Sequence, residues 1–138
     1  IPDWITRKEM SDVHLAGCGI SGRLSDWKPT ATSMYSSIDF SDNNLTGEIG
    51  DIFKNMSQLE KIFLSNNYLK SNLSEASFPE LIGTVDLHSN QLYGSIKNIL
   101  YDISGACSSP GGCLDFLDLS NNLISGSIPE LDGERRVK

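Results

Sequence analysis

No stretch of this chain is long and apolar enough to cross a membrane, which takes about 18–20 consecutive apolar residues. Basic residues are few: 11 Lys and Arg stand against 18 Asp and Glu, a net charge of −7. Such a balance repels polyanions, so nucleic acid and an anionic membrane surface are not expected partners. Histidine is scarce too, with His14 and His88 alone. Cysteine occurs three times, as Cys18, Cys107 and Cys113. That is too few for a disulfide-dense scaffold. A closed zinc centre at Cys107 and Cys113 would need two further ligands. No Gly-rich loop leads from a strand into a long helix, so a phosphate cradle is absent. There is no initiator Met and no leader to read.

What the sequence has instead is a cadence. Ile38-x-Phe40-x-x-Asn43-x-Leu45-x-Gly47-x-Ile49 returns as Ile62-x-Leu64-x-x-Asn67-x-Leu69-x-Ser71-x-Leu73. It returns again from Val85 through Asn90 to Ile96, and from Leu117 through Asn122 to Ile128. An earlier copy runs from Val13 to Leu24 with Cys18 in the Asn column. The closing Ile/Leu column falls at 1, 24, 49, 73, 96 and 128, in steps of 23, 25, 24, 23 and 32. A period of 20–29 carrying L-x-L-x-x-N/C-x-L is the leucine-rich repeat. The expected fold is an α/β solenoid of five repeats, with a parallel sheet on its concave face. Residues 1–138 read as one solenoid unit, a segment of a longer chain lacking its caps. The long last step places an inserted loop at 97–116.

Each column has a physical reason. In L-x-L the side chains alternate, so the two apolar residues face inward and the one between them faces out. This predicts short strands at 12–16, 37–41, 61–65, 84–88 and 116–120. Asn43, Asn67, Asn90 and Asn122 fall where the chain leaves the strand. A buried amide there needs partners for every donor and acceptor, which the backbone of neighbouring turns supplies as a ladder. Cys18 takes the same place, as a small residue at ease when buried. Gly follows four residues after the ladder column, at 22, 47, 94 and 126, with Ser71 the exception. A solenoid unit stacks only on its neighbours. The edge from Ile1 to Leu24 is therefore expected to meet a neighbouring domain or a second copy.

The L-x-G-x-I-P ending, as in Leu45-Thr-Gly-Glu-Ile49 and Ile124-Ser-Gly-Ser-Ile-Pro129, narrows the class. It resembles plant extracellular leucine-rich repeat proteins: polygalacturonase-inhibiting proteins, receptor-like proteins and receptor-kinase ectodomains. The resemblance implies secretion to the cell wall or apoplast, or an ectodomain of a membrane protein. Two sequence features agree with an oxidising compartment. Cys107 and Cys113, separated by five residues including Pro-Gly-Gly, read as a local disulfide, with two free thiols as the alternative. Asn44-Leu-Thr46, Asn55-Met-Ser57 and Asn72-Leu-Ser74 are N-glycosylation acceptors.

The outward strand positions carry seven acidic residues and one basic residue. Their central row reads His14, Asp39, Phe63, Asp86, Asp118, flanked by Asp12, Glu60, Lys61 and His88. An acidic strip steers a basic partner toward it, and Phe63 is a candidate apolar anchor. The alternative reading is a polar sheet face kept soluble. Asp86 and His88 point the same way, but no nucleophile joins them, so no catalytic residues are named. Carboxylates one repeat apart on a flat strip do not make the 6–8-oxygen cage of calcium, so neither metal nor cofactor is expected. The reading is a recognition module that binds a basic protein or peptide through its acidic concave face. The alternative is an inhibitor of a wall-degrading polygalacturonase. A leucine-rich antifreeze protein would need flat Thr or Asn arrays, and the outward positions here are mixed.

Overall fold

A computed structural model describes residues 1–7, 9–30, 34–97, 99 and 114–128. Cys107, Cys113 and most of the 97–116 segment lie outside the described residues, as does the expected disulfide.

Five strands, each of three residues, form one parallel sheet. They are β1 (Asp12–His14), β3 (Ser37–Asp39), β5 (Lys61–Phe63), β6 (Thr84–Asp86) and β8 (Phe116–Asp118), adjacent in that order. The register is that of the repeat: Val13, Ile38, Ile62, Val85 and Leu117 lie side by side. Each strand is two residues shorter than its sequence pattern predicts, for a local reason. Asp42, Asn66, Ser89 and Asn121 adopt left-handed backbone with φ of 53–54°. This region tolerates Asn and Asp better than most residues. The chain bends there, although Phe40 N still donates to Phe63 O, and Asp42 N to Ser65 O, across the strands.

The ladder follows the bend. Asn67 Nδ2 donates to Phe40 O of the preceding repeat at 2.9 Å and to its own Leu64 O and Ser65 O at 3.1 Å. Its Oδ1 accepts from Leu45 N at 2.9 Å. Asn43, Asn90 and Asn122 repeat this pattern against Leu15 and Ile20, Leu64 and Leu69, and Leu87 and Leu92. Asn43, Asn67 and Asn90 are buried, whereas Asn122 is half-buried at the far side of the described sheet. Cys18 departs from the expectation: it is exposed, and its thiol reaches only Ala16 O, at 3.6 Å. A ladder residue is buried by binding the preceding turn, and no described strand lies beyond β1 for Cys18 to bind.

Past the ladder the chain forms further short strands that the sequence did not announce. β2 (Ser21–Arg23) pairs with β4 (Asn44–Thr46), and β7 (Tyr93–Gly94) with β9 (Leu123–Ile124), both parallel. Tyr68 N to Leu45 O and Tyr93 N to Ser71 O link the repeats between them. Ser71 explains its own exception to the Gly column: it is buried, and its hydroxyl accepts from Ile49 N at 3.1 Å. The convex side is built of turns and 3-10 helices at Leu24–Asp26 and Leu73–Glu75.

The core runs the length of the solenoid between these two walls. Ile38, Phe40, Leu45, Ile49, Ile62, Leu64, Leu69, Leu73, Val85, Leu87 and Leu92 are fully buried. Trp27 packs edge-on to Phe40 at 5.4 Å and tilted to Tyr35 at 5.8 Å. A 3-10 helix at Asp3–Arg7 buries Ile5 completely, and Tyr35 Oη donates to Ile5 O. This turn covers part of the edge expected to lie open, while Ile1, Met10, Leu15 and Ile20 stay partly exposed against the core. Among the described residues, no helix is long and apolar enough to cross a membrane.

Candidate functional site

The sheet presents its central row outward as expected: His14, Asp39, Phe63, Asp86 and Asp118 occupy matching positions on adjacent strands. Phe63 lies between Asp39 and Asp86 and is half-buried. Asp12, Glu60 and Lys61 are exposed along the margin where the strands begin. Two small residues expected to face outward, Ser37 and Ser65, are buried instead. Ser37 sits in register between Asp12 and Lys61 on the neighbouring strands. Phe116, at the margin of β8, is 48% exposed.

The aspartates of the row do more than carry charge. Asp39 Oδ1 accepts from Ser41 N at 3.0 Å and from Ser41 Oγ at 2.6 Å. Asp86 Oδ1 accepts from His88 N at 3.2 Å, and Asp118 Oδ1 from Ser120 N at 2.9 Å. One carboxylate oxygen of each therefore pins the turn that ends its strand. At Asp118 this favours the ionised form. Hydrogen bonds from the Ser120 side chain and backbone hold its carboxyl below the usual value of 3.8; burial opposes them, and the nearby His88 adds a lesser lowering. The spacing D-x-S/H was visible in the sequence, but the turn it makes was not read from it.

Both histidines face this row. His88 Nδ1 lies 2.6 Å from Asp86 Oδ1 and 3.9 Å from Asp118 Oδ2. His14 Nδ1 lies 3.8 Å from Asp39 Oδ2. One ligand atom from each of Asp86, His88 and Asp118 falls within 4.8 Å of the others. This convergence was not foreseen for a flat strip. It offers three ligand atoms, one of them a nitrogen, which is short of the 6–8 oxygens calcium takes. Its hydrogen bonds orient His88 within the row.

The three glycosylation acceptors sit differently. Asn44 and Asn55 are exposed. Asn72 is half-buried and works as a helix cap: its Oδ1 accepts from Ser74 N and its Nδ2 donates to Glu75 Oε1.

Comparison with known proteins agrees with this architecture. The leucine-rich repeat family model matches residues 36–56 and 113–133. The receptor-like protein EIX2 of Solanum lycopersicum is 25% identical over 93% of this chain, which spans 14% of that protein. A brassinosteroid leucine-rich repeat receptor kinase of Solanum lycopersicum is 34% identical over 89% of the chain, which spans 10% of it. A polygalacturonase inhibitor of Pyrus communis is 39% identical over 45% of the chain, which spans 19% of it. Among solved structures, a plant ice-binding protein superposes with a TM-score of 0.75 at 29% identity, covering 94% of this chain and 39% of that one. Repeat spacing, sheet, ladder and relatives lead to one description: the chain is a leucine-rich repeat solenoid, with relatives among plant receptor-like proteins, receptor kinases and polygalacturonase inhibitors.

Proposed function

We propose that this solenoid is an extracellular recognition module that binds a basic protein or peptide through the acidic row of its concave face. It acts in a receptor-like ectodomain or a secreted wall protein, and it is not an enzyme. The observation that supports this reading most is the placement of Phe63 between Asp39 and Asp86 on adjacent strands. An apolar anchor flanked by carboxylates suits a ligand segment with an apolar residue beside Lys or Arg. Asp12, His14, Glu60, Lys61, His88 and Asp118 complete the proposed surface. The relatives named as receptors point the same way.

The test is capture from apoplastic extract on the immobilised protein, followed by mass spectrometry and competition with a Lys/Arg-rich peptide. Capture of basic proteins that the peptide displaces supports the reading. Retention of acidic or neutral proteins alone overturns it.

Inhibition of a polygalacturonase is the second reading, favoured by the likeness to the pear inhibitor. Turnover of a fungal polygalacturonase with and without the protein separates the two. Ice is a third surface to test, given the likeness to an ice-binding protein. The lateral strands present Ser21 and Arg23, then Asn44 and Thr46, then Tyr93 and Leu123, which is no regular array. No thermal hysteresis is expected.

A further inference from the structure

A pocket of about 470 Å³ opens on the convex side, away from the acidic row. That volume falls within the ~300–1,000 Å³ of small-molecule sites. Trp27, Ile52 and Met56 supply its apolar lining, and Ser25, Asp51 and Asn55 its polar lining. Two polar atoms of lining residues are left over. Trp27 Nε1 and Ser25 Oγ are buried and have no hydrogen-bond partner among the described residues. Trp27 as a whole is 5% exposed. Neither atom reaches the pocket surface, so both lie beneath the lining.

Asn55 stands on the lining of this pocket and opens the acceptor triplet Asn55-Met56-Ser57. The turn that carries it is fixed from within. Phe53 and Met56 are buried, Met56 N donates to Phe53 O, and Ser57 N to Asn55 O. Asn55 itself is exposed. Asn72, by contrast, spends its amide on capping a helix and on Glu75.

We propose that this pocket seats the inner N-acetylglucosamine of a glycan carried on Asn55. The bond formed joins Asn55 Nδ2 to the anomeric carbon of the sugar. The donor is a lipid-diphosphate-linked oligosaccharide, whose lipid diphosphate leaves as Nδ2 gives up one proton. The chemistry of the lining matches this sugar. A pyranose offers an apolar C–H face to Ile52, Met56 and the indole. Its hydroxyls complement the Asp51 carboxylate and the Lys28 ammonium, both of which line the pocket. Asp51 and Glu48 outweigh Lys28 in the lining, and the resulting negative balance disfavours a uronate.

The test compares glycoforms of protein secreted from cells that make high-mannose glycans, in a Trp4→Phe background where Trp27 is the sole tryptophan. Endoglycosidase H leaves one N-acetylglucosamine on each site. The trimmed protein is expected to keep the melting temperature and the low acrylamide quenching of the untrimmed one. Ser57→Ala, which abolishes the acceptor while keeping Asn55, is expected to lower the melting temperature by roughly 3 °C and raise quenching. Ser57→Thr, which keeps the acceptor, is expected to match the parent. Three results would overturn the proposal: an unmodified Asn55 in peptide maps of the secreted protein, a Ser57→Ala protein indistinguishable from the parent, or a change in Trp27 emission when diacetylchitobiose is added to the fully glycosylated protein. The last would show a pocket open to free saccharide.

Discussion

Asn67 joins two repeats with a single side chain. It donates to carbonyls of both, and it accepts from Leu45 N, in a place that water does not reach. Replacing it with Leu keeps the volume but strands those backbone groups, so Asn67→Leu is expected to cost about 2 kcal/mol or more. Urea melts check this, and a change within about 0.5 kcal/mol counts against the ladder. Asp118 is a different kind of residue, half-buried and governed by its hydrogen bonds from Ser120. Its folded pKa lies below the ordinary 3.8. The stabilisation it gives is therefore present above that value and lost as pH falls through the folded pKa. Asp118→Asn keeps an oxygen for Ser120 N and removes the charge. Melts at pH 7 should show the variant less stable than the parent, and the gap should narrow as pH falls below 3.8 toward the folded pKa. A gap that persists unchanged in acid would mean that the carboxylate charge contributes nothing.

The elements are short because each is followed by a left-handed residue, Gly17, Asp42, Asn66, Ser89 or Asn121, that turns the chain. Asp39, Asp86 and Asp118 reinforce three of these turns by holding the amide two residues on, whereas β1 and β5 are equally short without such an Asp. A five-residue alternation in the sequence thus gives three residues of strand. The inward columns were legible because the apolar period and the Asn at fixed offset follow from burial alone. The lateral pairs β2–β4 and β7–β9 were not, because their outward residues range from Arg23 to Leu123 and carry no common pattern. Their backbone hydrogen bonds are set by stacking, not by side chains. Of the site, the row His14 to Asp118 could be read from alternation. The convergence of Asp86, His88 and Asp118 across two strands required the register. Cys18 shows the opposite limit, where the right column does not bury a residue that lacks a turn to bind. Gly94 tests the lateral wall. Its φ is 89°, and an added Cβ would come 2.2 Å from Asn72 Oδ1. Gly22 has φ of 107° but nothing within 4 Å of an added Cβ. Gly94→Ala is therefore expected to cost about 1–3 kcal/mol and more than Gly22→Ala, since both bear backbone strain and only one also clashes. Equal losses in thermal melts would mean that the close approach to Asn72 relaxes freely.

At the scale of the molecule, the proposed function has the acidic row and the net charge of −7 act together on a partner still at a distance, and Phe63 only on contact. The two contributions separate in kinetics. Phe63→Ala is expected to weaken binding to the captured basic ligand by about 2 kcal/mol, mostly through faster dissociation, because a central apolar anchor is desolvated only in the complex. Asp39→Asn and Asp86→Asn keep the oxygens that accept from Ser41 N and His88 N, so their turns survive the change. They are expected to slow association at low salt, with an effect that fades toward 1 M, where the Debye length is ~3 Å. Surface plasmon resonance at two salt concentrations resolves both rates. If neither rate moves in Phe63→Ala and Asp86→Asn while replacement of residues 101–113 by a short linker, which spares Ile99 and β8, abolishes binding, recognition belongs to that inserted segment. The acidic row then serves only its turns, which the hydrogen bonds of its aspartates would by themselves be enough to explain.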